Sequence, residues 1–260
     1  MLTHNDKHIL IDCGLFQGLK NLRELNWTPL PIKPSSIDAV VLTHAHPDHS
    51  GYLPKLVRDG FRGNIFATGA TRDVAALILK DSGYIQEKDA EYANRKGFSK
   101  HKPALPLYGL HDAERALERF SSVPFGKAVQ LPGGATLVFR HAGHILGAAT
   151  ADIEWGGKRI AFSGDVGRYG DPMMLDPVPV PEADYVVIES TYGNRTHEPG
   201  DPTELLGSVI ERTVQRGGTV VIPAFAVGRA QSLLFHLWKL RSAGRLSTIP
   251  IYLDSPMAIS

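Results

Sequence analysis

Apolar residues fall along the chain in short runs between turn residues. "HILID" (8–12), "IDAVVLTH" (37–44), "ATLVFRH" (135–141), "ATADIEW" (149–155), "RIAFSGD" (159–165) and "DYVVIES" (184–190) are rich in β-branched and aromatic residues and predict strands. Gly156-Gly157 separates two of them and predicts a hairpin. Between the runs, apolar residues at three-to-four spacing predict helices from Ala70 to about Lys96 and over "LHDAERALERF" (110–120). Strands with helices on at least one face imply an α/β layered fold. No internal repeat and no low-complexity tract is visible in the sequence.

After Tyr192 the pattern becomes a cleaner alternation. Asp201-Pro202-Thr203-Glu204 supplies an N-cap, a proline in the first helical position and an acid in the third, opening a helix that Gly217-Gly218 closes. "TVVIPAF" (219–225) predicts a strand, Gly228-Arg229 opens a helix to about Ala243, and "IPIYLD" (249–254) predicts a second strand. A boundary near residue 195 follows, with 1–195 as one domain and 196–260 as the start of a second α/β unit.

Composition narrows the class. The 260 residues are 43% hydrophobic and 21% charged, an ordinary globular balance. Lys plus Arg number 28 against 27 acids, a net charge of +1, so any nucleic-acid site must be a local patch. A single cysteine, Cys13, excludes an internal disulfide framework and fits a reducing compartment. No apolar run reaches the roughly 20 residues of a membrane span and the N-terminus does not read as a secretion signal, so a cytoplasmic location is expected.

The chemistry concentrates in "VVLTHAHPDHSGYLP" (40–54). Alternate residues of an extended segment share a face, so His44 and His46 can hold one metal ion. The turn at Pro47 redirects Asp48 and His49 toward a second ion. Imidazole and carboxylate donors suit zinc, manganese or iron. Two later strand ends offer completing ligands: His144 in "HAGHILGA", and Asp165 in "FSGDVGR", whose two oxygens can bridge two ions. Gly228-Arg229 at a helix start is a candidate seat for a backbone phosphate, and the basic run Arg95, Lys96, Lys100, Lys102 either guides polyanions or is a solvated loop.

"LIDCG", "THAHPDHSG", "HAGHILGA" and "FSGDVG" together resemble the first four motifs of the metallo-β-lactamase fold, and "ESTYGNRTH", "IPAFAVGRAQ" and "YLDSPMA" resemble its β-CASP branch of nucleases. The resemblance implies an αββα sandwich with an inserted α/β β-CASP domain, of which 196–260 would be the beginning. It also implies His44, His46 and His144 on a first ion, Asp48 and His49 on a second, and Asp165 between them. The ions are expected to be two divalent cations, Zn2+ first and Mn2+ second. Asp12 matches an acid that orients the ligands, Glu189 one that partners a catalytic histidine, and Asp254 the acid of the first β-CASP motif.

The implied function is cleavage of RNA phosphodiester bonds, with single-stranded RNA as substrate and a metal-bridging hydroxide as nucleophile; a homodimer is left open. Two β-CASP motifs that usually follow "DSPMA", and a strand that usually precedes "HILIDCG", are not found, which suggests a truncated sequence of weak activity by itself. The rivals are a thioesterase or lactonase of the same fold, which leaves "GRAQ" and "DSPMA" without a purpose, and a non-catalytic subunit of a processing complex, which would be expected to have lost ligands.

Overall fold

In the computed structural model the chain enters as a hairpin, β1 (Leu2–His4) and β2 (Lys7–Ile11). Asn5 and Asp6 join them with φ of 48° and 58°, the twist that a two-residue turn needs and that Asn and Asp tolerate. A short helix α1 (Lys20–Glu24) precedes β3 (Ala39–Val41), which is followed by α2 (Pro47–Ser50), α3 (Leu53–Arg58), β4 (Asn64–Ala67), the long α4 (Gly69–Lys96), α5 (Leu110–Leu117) and β5 (Phe120–Ser122). A second group of strands comprises β6 (Ala128–Gln130), β7 (Thr136–His141), β8 (Ala149–Trp155), β9 (Lys158–Phe162) and β10 (Tyr185–Val187). Then come α6 (Pro202–Gln215), α7 (Arg229–Ser242) and α8 (Pro256–Ile259). Residues 1–196 and 199–259 are described, in two units, Met1–Glu189 and Ser190–Ser260. His197 of "ESTYGNRTH" lies outside the described residues.

The first unit holds two five-stranded sheets, ordered β1-β2-β3-β4-β5 and β10-β9-β8-β7-β6. Their inner faces meet in one core. Ile9, Ala39, Val41 and Phe66 of the first sheet pack with Leu137, Phe139, Ala151, Ile153 and Trp155 of the second. On β8 the period-two alternation of "ATADIEW" sends Ala149, Ala151, Ile153 and Trp155 into this core, while Glu154 is exposed. On the other side of the first sheet, Val40, Leu42, Ile65 and Ala67 pack against Leu53, Leu56 and Val57 of α3 and Ala116 of α5. The mixed α/β layering expected from the sequence is therefore present.

The structure contains a repeat that the sequence hides. A hairpin followed by a returning parallel strand occurs twice, as β1-β2-β3 and as β8-β9-β10. In both, an aspartate just before the third strand caps the second. Asp38 accepts from Lys7 Nζ (2.9 Å) and from His8 N–H (2.8 Å), and Asp184 accepts from Lys158 Nζ (2.7 Å) and from Arg159 N–H (2.9 Å). The repeat lies in backbone pairing and one carboxylate, so no residue-by-residue similarity betrays it.

The second unit is built on α6 and α7, whose Ile210, Leu237 and Leu240 share a small core with Leu246. Asp201 caps α6, accepting from Thr203 N–H at 2.7 Å as its sequence predicts. Arg245 ties the unit together through Glu211 (2.7 and 3.0 Å) and Glu204 (2.8 Å). The two expected strands require correction: among the described residues neither 219–225 nor 249–254 pairs with a neighbour as a strand. In these stretches Val221, Phe225 and Tyr252 are more than four-fifths exposed. Propensity makes a run extended, but only a hydrogen-bonded partner makes it a strand.

Two outcomes test this description. Phe139→Ala, at the centre of the inter-sheet core, should lower unfolding free energy by about 3–5 kcal/mol in urea titration. Asp38→Asn should cost about 1 kcal/mol near neutral pH. Burial works against the Asp38 carboxylate, but the His8 N–H and Lys7 outweigh it and hold its pKa below the usual 3.8. Its stabilisation is therefore full above 3.8 and lost as pH falls through the lower folded value, so wild type and variant should converge in acid.

Candidate metal centre

Beyond β3, Leu42 N–H still donates to Phe66 O (2.8 Å), and Pro47, in the first position of α2, turns the chain. Ser50 Oγ donates to Ala45 O (2.8 Å) and closes the loop from inside. The segment "DCG" at the end of β2 clamps the same turn: Cys13 N–H donates to His49 O (2.7 Å) and Tyr52 N–H to Cys13 O (2.9 Å). A Cβ on Gly14 would lie 1.5 Å from Asp48 O, so only glycine allows this approach. Burial, with Asp12 beside it, pushes the Cys13 thiol up to about 12, which leaves it an inert packing residue.

Asp12 adopts a φ of 55°, a left-handed conformation that aspartate tolerates better than most residues. From there its carboxylate accepts from Thr43 N–H (2.7 Å), Thr43 Oγ1 (2.8 Å) and His49 Nδ1 (2.7 Å). A hydroxyl has one hydrogen to give. Because Thr43 gives it to Asp12, its oxygen accepts from His44 Nδ1 at 3.1 Å, which leaves the lone pair of His44 on Nε2. One carboxylate thus sets the orientation of two histidines. Thr43 was not among the residues singled out in the sequence, although a hydroxyl residue between the strand and the first histidine is the signal that marks it.

The imidazoles converge. His46 Nδ1 is 3.1 Å from both His44 Nε2 and His144 Nε2. Asp165 Oδ2 lies 3.7 Å from His44 Nε2 and 3.5 Å from His144 Nε2, and its other oxygen faces His49 Nε2 at 3.2 Å. Candidate ligand atoms of His44, His46, His144 and Asp165 all lie within 4.8 Å of one another, a donor set that fits one divalent cation. Asp48 stands at the edge, half exposed, with Oδ2 3.8 Å from His49 Nε2. The two oxygens of Asp165 face different histidines, as a bridging carboxylate requires.

By themselves these side chains divide their protons unequally. Burial, reinforced by His49, drives His44 far down, and burial likewise lowers His46 and His144. The three therefore offer neutral, metal-ready nitrogens at neutral pH. Burial also opposes charge on His49, but its hydrogen bonds to Asp12 and Asp165 prevail and raise it to about 10. The His49 hydrogen bond in turn holds Asp165 down to about 2. A cation entering beside His49 has to displace a proton there.

The loops bearing His144 and Asp165 are tied to the same frame. Gly147 O accepts from the hydroxyls of Thr68 and Thr71 (2.8 Å each) at the start of α4, and Ala149 N–H donates to Thr43 O (2.9 Å). Gly164, at a φ of 55°, brings its backbone so close to Thr43 that a Cβ would meet it at 2.8 Å. Glu189 N–H donates to Ser163 Oγ (3.0 Å) while Glu189 Oε1 accepts from Val166 N–H (3.1 Å), which sets the glutamate beside the Asp165 loop. Ser163 and Glu189 follow β9 and β10 as Asp12 and Thr43 follow β2 and β3. The remaining candidates belong to the second unit. Gly228 (φ 82°) and Arg229 stand at the start of α7, and Asp254 is exposed in the 249–254 stretch.

Two facing sheets with histidines and aspartates gathered at their strand ends define an α/β sandwich with a cluster that could hold a metal ion. The sequence model of the Metallo-beta-lactamase superfamily matches residues 1–61, and the chain is similar to that superfamily there. Ribonuclease TTHA0252 from Thermus thermophilus is 38% identical over 260 residues, 99% of this chain and 55% of its own length. Cleavage and polyadenylation specificity factor 73 from Drosophila melanogaster is 34% identical (99% and 36%), and Transcription termination factor FttA from Methanosarcina mazei 33% identical (98% and 39%). The chain spans about half the length of the first and less of the other two.

Asp12→Asn and Thr43→Val should each weaken zinc binding by about 10–100-fold, measured by competition with a chromophoric chelator. Asn also tolerates a positive φ, so Asp12→Asn should keep a near wild-type melting temperature, whereas Asp12→Ala should lower it as well.

Proposed function

We propose that the protein is a metal-dependent ribonuclease that hydrolyses phosphodiester bonds of single-stranded RNA. The observation that carries this reading is the convergence of His44, His46, His144 and Asp165 in a chain aligned over nearly its whole length with a protein named a ribonuclease. We read Met1–Glu189 as the metallo-β-lactamase domain, and the residues after it as part of a β-CASP domain.

His44, His46 and His144 would hold one divalent ion, Asp48 and His49 a second, and Asp165 would touch both; zinc suits this donor set best and manganese next. When bound, such ions supply Lewis-acid stabilisation of phosphoryl charge and an acidified water. The chain's own residues do the rest. Asp12 and Thr43 fix the imidazole orientations. Glu189, whose charge reaches His144, is the carboxylate proposed to support proton transfer toward the leaving oxygen. By resemblance Asp254 takes an acid role in the same chemistry. Gly228 N–H and the Arg229 guanidinium, at a helix start, suit a backbone phosphate. Among the described residues no helix is long and apolar enough to cross a membrane.

His46→Ala and Asp165→Ala should each lower bound zinc and reduce cleavage of a labelled single-stranded RNA by at least a thousandfold, and a strong chelator should abolish cleavage until zinc or manganese is restored. Full cleavage with either variant, or hydrolysis of thioesters or lactones in preference to RNA, would overturn the reading. Arg229→Ala should weaken RNA binding several-fold while metal content stays at the wild-type level.

A further inference from the structure

We propose that the far end of α4 and the loop after it form a binding patch for single-stranded RNA, outside the metal centre. The proposal rests on the ribonuclease reading for its choice of ligand but on its own geometry for its place. Between Glu91 and Asp112 the sequence has no acidic residue, and it places Arg95, Lys96, Lys100 and Lys102 there. Four formal positive charges thus sit in one stretch of a chain whose net charge is +1, so the remainder is net negative.

The stretch is folded into a defined surface. Asn94 closes the loop with two hydrogen bonds to Ala104, its Nδ2 donating to the carbonyl (2.9 Å) and its Oδ1 accepting from the N–H (2.7 Å). Gly97, at a φ of 69°, stops the helix and turns the chain back. On this frame the ring of Tyr92 lies 5.9 Å from that of Phe98, with the Arg95 guanidinium at 5.5 Å and the Lys96 ammonium at 5.9 Å from the Tyr92 centroid. Tyr92 is 48% exposed and Phe98 66%. About two helical turns back, Lys88 stands over Tyr84 in the same way, at 5.6 Å.

Exposed aromatic rings interleaved with cations are what a single strand requires, because every base has a face to stack and every linkage a charge to neutralise. An acidic protein would use the cations but has no need of the open rings. α4 has 28 residues, so its far end lies about 42 Å along the axis from the start that Thr68 and Thr71 tie to the His144 loop. The patch therefore engages RNA remote from the bond being cut, and sets affinity and length dependence rather than chemistry.

The test compares the whole protein with Arg95→Ala/Lys96→Ala/Lys100→Ala and with Tyr92→Ala/Phe98→Ala. Fluorescence anisotropy would follow a labelled 30-nucleotide RNA, a 6-nucleotide RNA and a polyglutamate peptide across salt concentrations. The charge variant should bind the long RNA at least tenfold more weakly, with a salt slope smaller by about 2, from ~0.7 per lost phosphate contact. The ring variant should lose about five- to tenfold with an unchanged slope. Both should bind zinc and cleave the 6-nucleotide RNA as wild type does. Unchanged affinity for the long RNA in both variants overturns the patch while leaving the ribonuclease reading intact. Failure of the wild type to bind any RNA overturns both. Loss of polyglutamate binding with no effect of the ring variant on RNA assigns the surface to an acidic protein and overturns the proposal.

Discussion

The candidate site depends on the Asp12 carboxylate. It is held at a positive φ at the end of one strand, and it accepts three hydrogen bonds from the loop that ends the neighbouring strand. Through His49 Nδ1 it aims His49 Nε2 at Asp165, and through the Thr43 hydroxyl it decides which nitrogen of His44 is free. Without that anchor, histidines brought together by the turn at Pro47 could rotate, and an imidazole with the wrong tautomer presents a proton to a cation. The clamp of Cys13 and Gly14 on the 47–52 turn serves the same end by holding the backbone from which the ligands project.

The repeated hairpin-and-strand unit gives this arrangement a structural rationale. In one copy the residue after the second strand is Asp12 and its partner after the third strand is Thr43; in the other copy the pair is Ser163 and Glu189. The backbone pairing is the same, with Asp12 N–H donating to Val41 O and Ser163 N–H to Val187 O, both at 2.9 Å. The carboxylate has changed sides. In the first copy it faces inward and orients ligands, and in the second it stands beside Asp165. One backbone solution thus places two acids at corresponding strand ends, one bonded to the histidine loop and one to the Asp165 loop.

Much of this was legible because metal ligation constrains residue type and spacing at once. The H-x-H-x-D-H run, His144 between glycines and Asp165 after a strand each carry little alone, but together they specify a donor set, and the structure brings it within 4.8 Å for four members. The long helix and the Asp201 cap were readable from local chemistry. β1, β4, β5 and β6 were not, because each has only three or four residues and, unlike the equally short β3 and β10, none lies within a longer β-rich run. The opposite error arose at 219–225 and 249–254, where strong β propensity has no pairing partner among the described residues. Thr43 was overlooked because its role is to pass a hydrogen bond on.

Anomalous scattering from a crystal of the protein grown with zinc tests the central claim most directly. The account predicts two peaks about 3.5–4 Å apart, one coordinated by His44, His46 and His144, the other by Asp48 and His49, with Asp165 reaching both. A single peak on the first three histidines would contradict the two-ion assignment. Zinc bound elsewhere, or none within reach of Asp165, would contradict the account as a whole.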